Sequence, residues 1–140
     1  MCDLIVASEE ARFGITETKR GLPGTGVWAK LNAFIPSKVL TEMVITGDQV
    51  GAAELHRLGL INRLVPTGKH LEAAEELAEQ VLKAPPLACR AGVRLSRRQW
   101  VQPSADADMY NVPLKLHKSE DFQESTRAFV EKRPPVFQAR

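Results

Sequence analysis

The chain has 140 residues, enough for one domain with a modest core. Hydrophobic residues make up 44% and charged residues 26%, the balance of an ordinary globular protein, which excludes a disordered or low-complexity chain. The net charge of +2 is unevenly spread, since residues 1–82 hold 8 basic and 11 acidic side chains whereas residues 83–140 hold 11 and 6. The positive second part invites an anionic partner, and either a nucleotide-bearing ligand or a nucleic acid would satisfy it.

No apolar run approaches the ~20 residues of a membrane span, and no basic stretch followed by an apolar one opens the chain as a secretory leader would. Cys2 and Cys89 lie far apart without CxxC spacing. They read as free thiols in a reducing compartment, not as a disulfide framework or a metal site. His56, His70 and His117 are scattered in the same way, so no metal-ligand cluster is expected.

In chain order, residues 3–7 read as a buried strand rich in β-branched side chains. The segment from Ala11 to Gly26 follows, with Gly14, Gly21, Gly24 and Gly26 around Pro23. Glycines at this density allow positive φ and let main chain approach a ligand closely. Glu17 is the one carboxylate in this segment, between Thr16 and Thr18. An acid on a glycine-bounded stretch between strand and helix suits proton transfer, and it equally suits an ordinary surface glutamate. Helical patterns then cover 27–34, 37–46 and 52–58, with Gly47 placed to end the second as a C′ residue. Residues 60–65 form a second strand, closed by Pro66.

The remainder is helical. Leu71, Ala74, Leu77, Ala78 and Val81 recur on one face opposite four glutamates. After Pro85-Pro86, Leu87, Ala91 and Leu95 make an apolar stripe, and Arg90, Arg94, Arg97 and Arg98 line another face. The bland alternative for those arginines is a solvated surface. Pro103 opens a further helix-like segment that Pro113 interrupts. The last helix has Ser119 as N-cap, Glu120 and Asp121 in its first turn, Lys132 and Arg133 in its last, and Pro134-Pro135 as a stop.

Several stretches together resemble the enoyl-CoA hydratase/isomerase (crotonase) superfamily. They are Cys2-Asp3-Leu4-Ile5-Val6-Ala7, Ala11-Arg12-Phe13-Gly14, Glu17, Gly21-Leu22-Pro23-Gly24-Thr25-Gly26, Met43-Val44-Ile45-Thr46-Gly47, the 58–66 run and Phe129-Val130-Glu131-Lys132-Arg133. The resemblance covers nearly the whole chain. It implies an α/β, ClpP/crotonase-like fold in truncated form, matching the C-terminal half of family members. On that basis residues 1–66 are the end of the ββα spiral core, and residues 67–140 are a helical oligomerisation region.

What the resemblance implies for chemistry is proton transfer next to a CoA thioester, of the enoyl-CoA hydratase or isomerase type. Glu17 would be the catalytic acid/base. Gly14, Pro23, Gly24, Gly26, Phe129 and Lys132 would bind substrate, the last two reaching the CoA of a neighbouring subunit. No cofactor is implied, because CoA is part of the acyl-CoA or enoyl-CoA ester. The expected partner is a second copy of the chain, in a trimer or dimer of trimers, with no membrane and with nucleic acid disfavoured. A cytoplasmic location is expected, with a mitochondrial one left open because the N-terminal part is expected to be missing. The two backbone donors of the family's oxyanion hole, and its second glutamate, fall outside the matched stretches, so the chain alone is expected to be inactive. Val27 and Trp28 stand where the family often has smaller residues, which adds bulk beside the acyl pocket. Two alternatives belong to other classes: a non-catalytic oligomerisation remnant, and a basic nucleic-acid-binding module acting through Arg90, Arg94, Arg97 and Arg98.

Overall fold

The computed structural model describes residues 2–98 and 116–138. Strand β1 (Val6–Ser8) pairs in parallel with β4 (Arg63–Val65), placing Val6 opposite Arg63 and Ser8 opposite Val65. A second pair, β2 (Arg12–Gly14) with β3 (Gln49–Gly51), is antiparallel, with Phe13 opposite Val50. Helices α1 (Thr25–Leu31), α2 (Ser37–Thr46) and α3 (Ala52–Arg57) lie between these strands in the chain. Helix α4 (His70–Leu82), helical backbone over residues 86–98 (α5) and α6 (Glu120–Glu131) follow.

The core gathers where α2 and α3 meet the strands. Leu40, Met43 and Val44 are buried at i, i+3 and i+4 of α2, and they cluster with Ile15, Ile35, Leu55 and Ile61. Gly47 ends α2 in the left-handed conformation at φ 65, its N–H donating to the Met43 carbonyl, as a C-cap glycine should. Asn62 closes one end of the parallel pair: its side chain accepts from the Ile5 N–H at 2.7 Å, and its own N–H donates to the Ile5 carbonyl.

Both expected strands are shorter than the apolar runs that announce them. Residues 60 and 61 donate their N–H groups to the Leu55 carbonyl and finish α3, leaving only Arg63–Val65 for the ladder. Strands β2 and β3 are not legible in the sequence because three residues each, Arg-Phe-Gly and Gln-Val-Gly, are too few to display alternation. The helix-like segment expected around Pro103 and Pro113 lies outside the described residues.

The apolar face of α4 is only partly covered. Ala74 and Leu77 are half-buried, while Leu71, Ala78 and Val81 are exposed. This face and Leu4 and Val6 border a groove of ≈ 460 Å³ beside β1. Leu87 and Leu95 on α5 are exposed as well. Among the described residues, no helix is long and apolar enough to cross a membrane.

Candidate active site

Glu17 caps a short 3-10 turn, Thr18–Arg20, at the exit from β2 and the buried Ile15. Its carbonyl accepts from the N–H groups of Arg20 and Leu22, both at 3.0 Å, so the backbone is tightly wound just where the carboxylate leaves it. The residues after it pin the turn to the core. Thr18 Oγ1 donates to the Val44 carbonyl at the end of α2 at 2.6 Å, and Lys19 Nζ pairs with Asp48 at 2.8 Å. The Lys19 stem crosses Gly47 so closely that a Cβ there would sit 2.8 Å from Lys19 Cγ. Glu17 itself is half-buried, and among the described residues its carboxylate has no hydrogen-bond or ion-pair partner. A carboxylate on a fixed backbone and free of a competing cation is available to take or give a proton.

The glycines of this segment do different jobs from one another. Only Gly21 has positive φ, at 74, and it lets the turn reverse. A Cβ on Gly21 would stand 3.1 Å from the Phe122 N, so α6 lies directly against it. Gly24 has φ −73 and is buried because Ile15 and Val44 close over it, so that a Cβ at this position would lie 2.6 Å from Ile15 Cγ2. Gly26 faces open space within 4 Å, and Gly14 at the end of β2 touches Gln49 and Asp48. Of the four glycines that allow positive φ in this segment, Gly21 uses it. Pro23 is half-buried in the short link between the turn and α1.

The C-terminal helix comes back to this turn. Ser119 caps α6, its Oγ accepting from the Phe122 N–H at 3.1 Å, and Glu120 and Asp121 follow in the first turn. Ser125, buried, donates to the Lys19 carbonyl at 3.5 Å. Phe129 projects outward, 77% exposed, with the Arg20 guanidinium carbon 5.9 Å from its ring centroid. A cavity of ≈ 550 Å³ opens between turn and helix, walled by Leu22, Phe122, Phe129 and Pro135 and edged by Lys19 and Arg20. Lys132 is not among its walls: it ends α6 in the left-handed conformation at φ 53, its N–H donating to the Phe129 carbonyl.

The tail beyond Lys132 is folded against α6. Arg133 spans the Glu124 carboxylate with two contacts, at 2.5 and 3.0 Å, and also pairs with Glu131. The Val136 N–H donates to Glu124 at 3.0 Å, and the Gln138 N–H donates to Asp121 at 2.7 Å. The Arg133 fork first, and the Val136 N–H second, hold the Glu124 carboxyl down from 4.5 to about 2.

Two side chains singled out in the sequence have partners in the structure. Trp28 is a brace, because its indole Nε1–H donates to Thr41 Oγ1 of α2 at 3.3 Å and its ring packs on the core cluster. On α5, Arg97 of the arginine-lined face is bound to Asp3, with Nε 2.8 Å from Oδ1. Arg20 carries no motif of its own in the sequence; it ends the 3-10 turn that Glu17 caps.

The whole of residues 1–140 matches the model of the enoyl-CoA hydratase/isomerase family. The chain belongs to that family. It is 37% identical to a carnitinyl-CoA dehydratase of Escherichia coli over 99% of its own length. Among solved structures it resembles a carnitinyl-CoA dehydratase from Mycobacterium avium 104, with TM-score 0.84 and 37% identity. It also resembles an enoyl-CoA hydratase from Mycobacterium tuberculosis H37Rv, with TM-score 0.64 and 38% identity; both similarities cover 99% of this chain and 56% of the other. The crotonase-like α/β fold is thereby shown. The chain spans 56% of the curated relative's length, and the expectation that this share is the C-terminal half gains no support from the matches.

Proposed function

We propose that the chain serves acyl-CoA chemistry of the hydratase or isomerase type, with Glu17 moving a proton at the carbon next to a CoA thioester. The observation that carries this is the half-buried, unpartnered carboxylate of Glu17, among the described residues, on a turn tied to the core at Thr18 and Lys19. Family membership supplies the substrate class, and the names of the relatives, carnitinyl-CoA dehydratase and enoyl-CoA hydratase, point to addition or removal of water. CoA arrives as part of the ester, so no cofactor enters the scheme. Gly14, Pro23, Gly24 and Gly26 shape the backbone around the acid, Phe129 offers a ring face to the adenine, and Lys132 offers a charge to phosphate.

A thioester enolate also needs donors at its carbonyl oxygen. We place them in the share of a relative's length that these 140 residues do not span, and assign residues 1–66 to the core and 67–140 to subunit contacts in a homo-oligomer. The test is hydration of crotonyl-CoA by this chain within a longer family chain, followed as loss of the conjugated thioester's absorbance. Glu17→Gln should lower the rate by about 10²–10⁴-fold with ester binding kept. Equal rates for the two forms would remove Glu17 from the mechanism.

A second reading, oligomerisation without catalysis, is favoured by the apolar side chains left open at the end of α4 and on α5, such as Leu82 at 82% and Leu87 at 78% exposure. CoA-ester affinity separates the two, since both readings expect self-association in sedimentation and only the second expects no binding of the ester.

A further inference from the structure

We infer that Thr18 is a positioning residue for Glu17: its hydroxyl docks the acid-bearing turn on the C-terminal end of α2, and the rate of proton transfer depends on that docking. This role rests on the reading of Glu17 as the acid and extends it to a neighbour that touches no substrate. An α-helix ends in carbonyls that none of its own N–H groups reaches. In α2 these carbonyls are met in different ways. The Met43 carbonyl takes the Gly47 N–H at 3.1 Å. The Asp48 N–H, four residues after Val44, is diverted to Thr46 Oγ1 at 3.1 Å, and that hydroxyl in turn donates to the Glu42 carbonyl at 2.7 Å. The place at the Val44 carbonyl is filled from outside the helix, by Thr18 Oγ1 at 2.6 Å.

Thr18 is the residue next to Glu17, so a short bond at Thr18 fixes the direction in which the Glu17 side chain leaves the backbone. The other ties of the turn are looser. Lys19 and Asp48 form an exposed ion pair through a long, flexible stem, which keeps the turn near α2 without setting its angle. Ser125 reaches the Lys19 carbonyl at 3.5 Å. The Thr18 bond is shorter than either and part-buried, and its acceptor belongs to a residue whose side chain lies in the core. Valine at position 18 keeps the shape of threonine and removes the donor, so the Val44 carbonyl loses its partner while the two looser ties hold the fold together. A shift of about 1 Å in a proton-transfer group can cost as much as about 10²-fold in rate.

The experiment compares the wild type with Thr18→Val and Thr18→Ser by two readouts. In the 140-residue chain, amide hydrogen exchange is followed at Arg20 and Leu22, whose N–H groups bond the Glu17 carbonyl, and at the buried Ile35, bonded to Leu31, as a control. Thr18→Val should speed exchange at Arg20 and Leu22 about 10-fold and leave Ile35 unchanged, and Thr18→Ser should restore the wild-type rates. In the longer family chain that turns over crotonyl-CoA, Thr18→Val should lower kcat by about 10–10²-fold with KM kept, and Thr18→Ser should recover kcat. The docking is refuted if the Arg20 and Leu22 amides exchange alike in wild type and Thr18→Val, if Ile35 speeds up as much as they do, or if serine fails to rescue. Loosened amides with an unchanged kcat, in a chain where Glu17→Gln is slow, refute the positioning role alone. A Glu17→Gln form as fast as the wild type refutes the acid itself, so the two failures are told apart.

Discussion

Gly24 and Gly26 stand two residues apart in one motif, yet alanine should have opposite effects at the two positions. At Gly24 an added methyl would lie 2.6 Å from Ile15 Cγ2 and 3.3 Å from Val44 Cγ1. Both neighbours are buried core side chains, so neither can swing into solvent. Overpacking of this kind costs about 1–3 kcal/mol. The φ of −73 suits alanine, so stiffening of the unfolded chain returns about 0.4–1 kcal/mol. The net loss is ~1–2 kcal/mol, a fall in Tm of roughly 3–6 °C for a domain of this size. Gly26 lies inside α1 with open space around it and without positive φ. Gly26→Ala should therefore gain about 0.5–1 kcal/mol, the ordinary helix preference for alanine. Thermal melts followed by circular dichroism compare the three proteins directly. A Gly24→Ala protein melting at the wild-type temperature would refute the packing argument. CoA-ester affinity, measured on the same samples, should drop in Gly26→Ala if that open position is where main chain meets ligand.

Lys132 holds a left-handed backbone that costs a non-glycine residue about 1–2 kcal/mol, so Lys132→Gly should melt higher and Lys132→Ala should not. Both should weaken CoA-ester binding if the side chain meets phosphate, and a Lys132→Gly protein with unchanged affinity would leave the lysine without that role. Glu124 has a folded-state pKa below its unfolded value, so its contribution is present above about 4.5 and fades as pH falls toward about 2. The Val136 amide resonance should move through that window and stay still in Glu124→Gln; a flat titration in the wild type would mean the tail is held by other contacts.

The sequence is most legible where one residue type answers one local demand. Gly47 reads as the end of α2, and it is there in the left-handed conformation with its N–H on Met43. Ser119 reads as an N-cap, and its Oγ takes the Phe122 N–H. Val39, Leu40, Met43 and Val44 share a face by helical spacing alone; the last three are buried and Val39 is half-buried. Position in three dimensions is harder to read. Residues 60 and 61 look like strand because they are apolar and β-prone, but their N–H groups go to Leu55, a choice made by the preceding helix. Gly24 looks like a ligand-contacting glycine because its neighbours are glycines, while its packing reason is Ile15, nine residues earlier, and Val44, twenty residues later.

The same distinction separates Glu17 from Arg20. Glu17 stands out as the lone acid in a glycine-rich stretch of a familiar pattern, and the structure adds what the pattern lacks, a turn fastened by Thr18 and Lys19. Arg20 offers no pattern, because its setting depends on α6, about a hundred residues further along the chain. Gly21 decides that setting: its positive φ turns the chain, and the missing Cβ lets the Phe122 backbone come close enough to seat α6. Once α6 is seated, Phe129 meets Arg20, while Lys19 and Arg133 keep their own carboxylates. One glycine thus links the acid segment to the tail. A β-branched residue at position 21 would shift α6, so it would disturb the Arg20 cavity before it disturbed Glu17, whose anchors lie on the other side of the turn, in α2 and the loop after it.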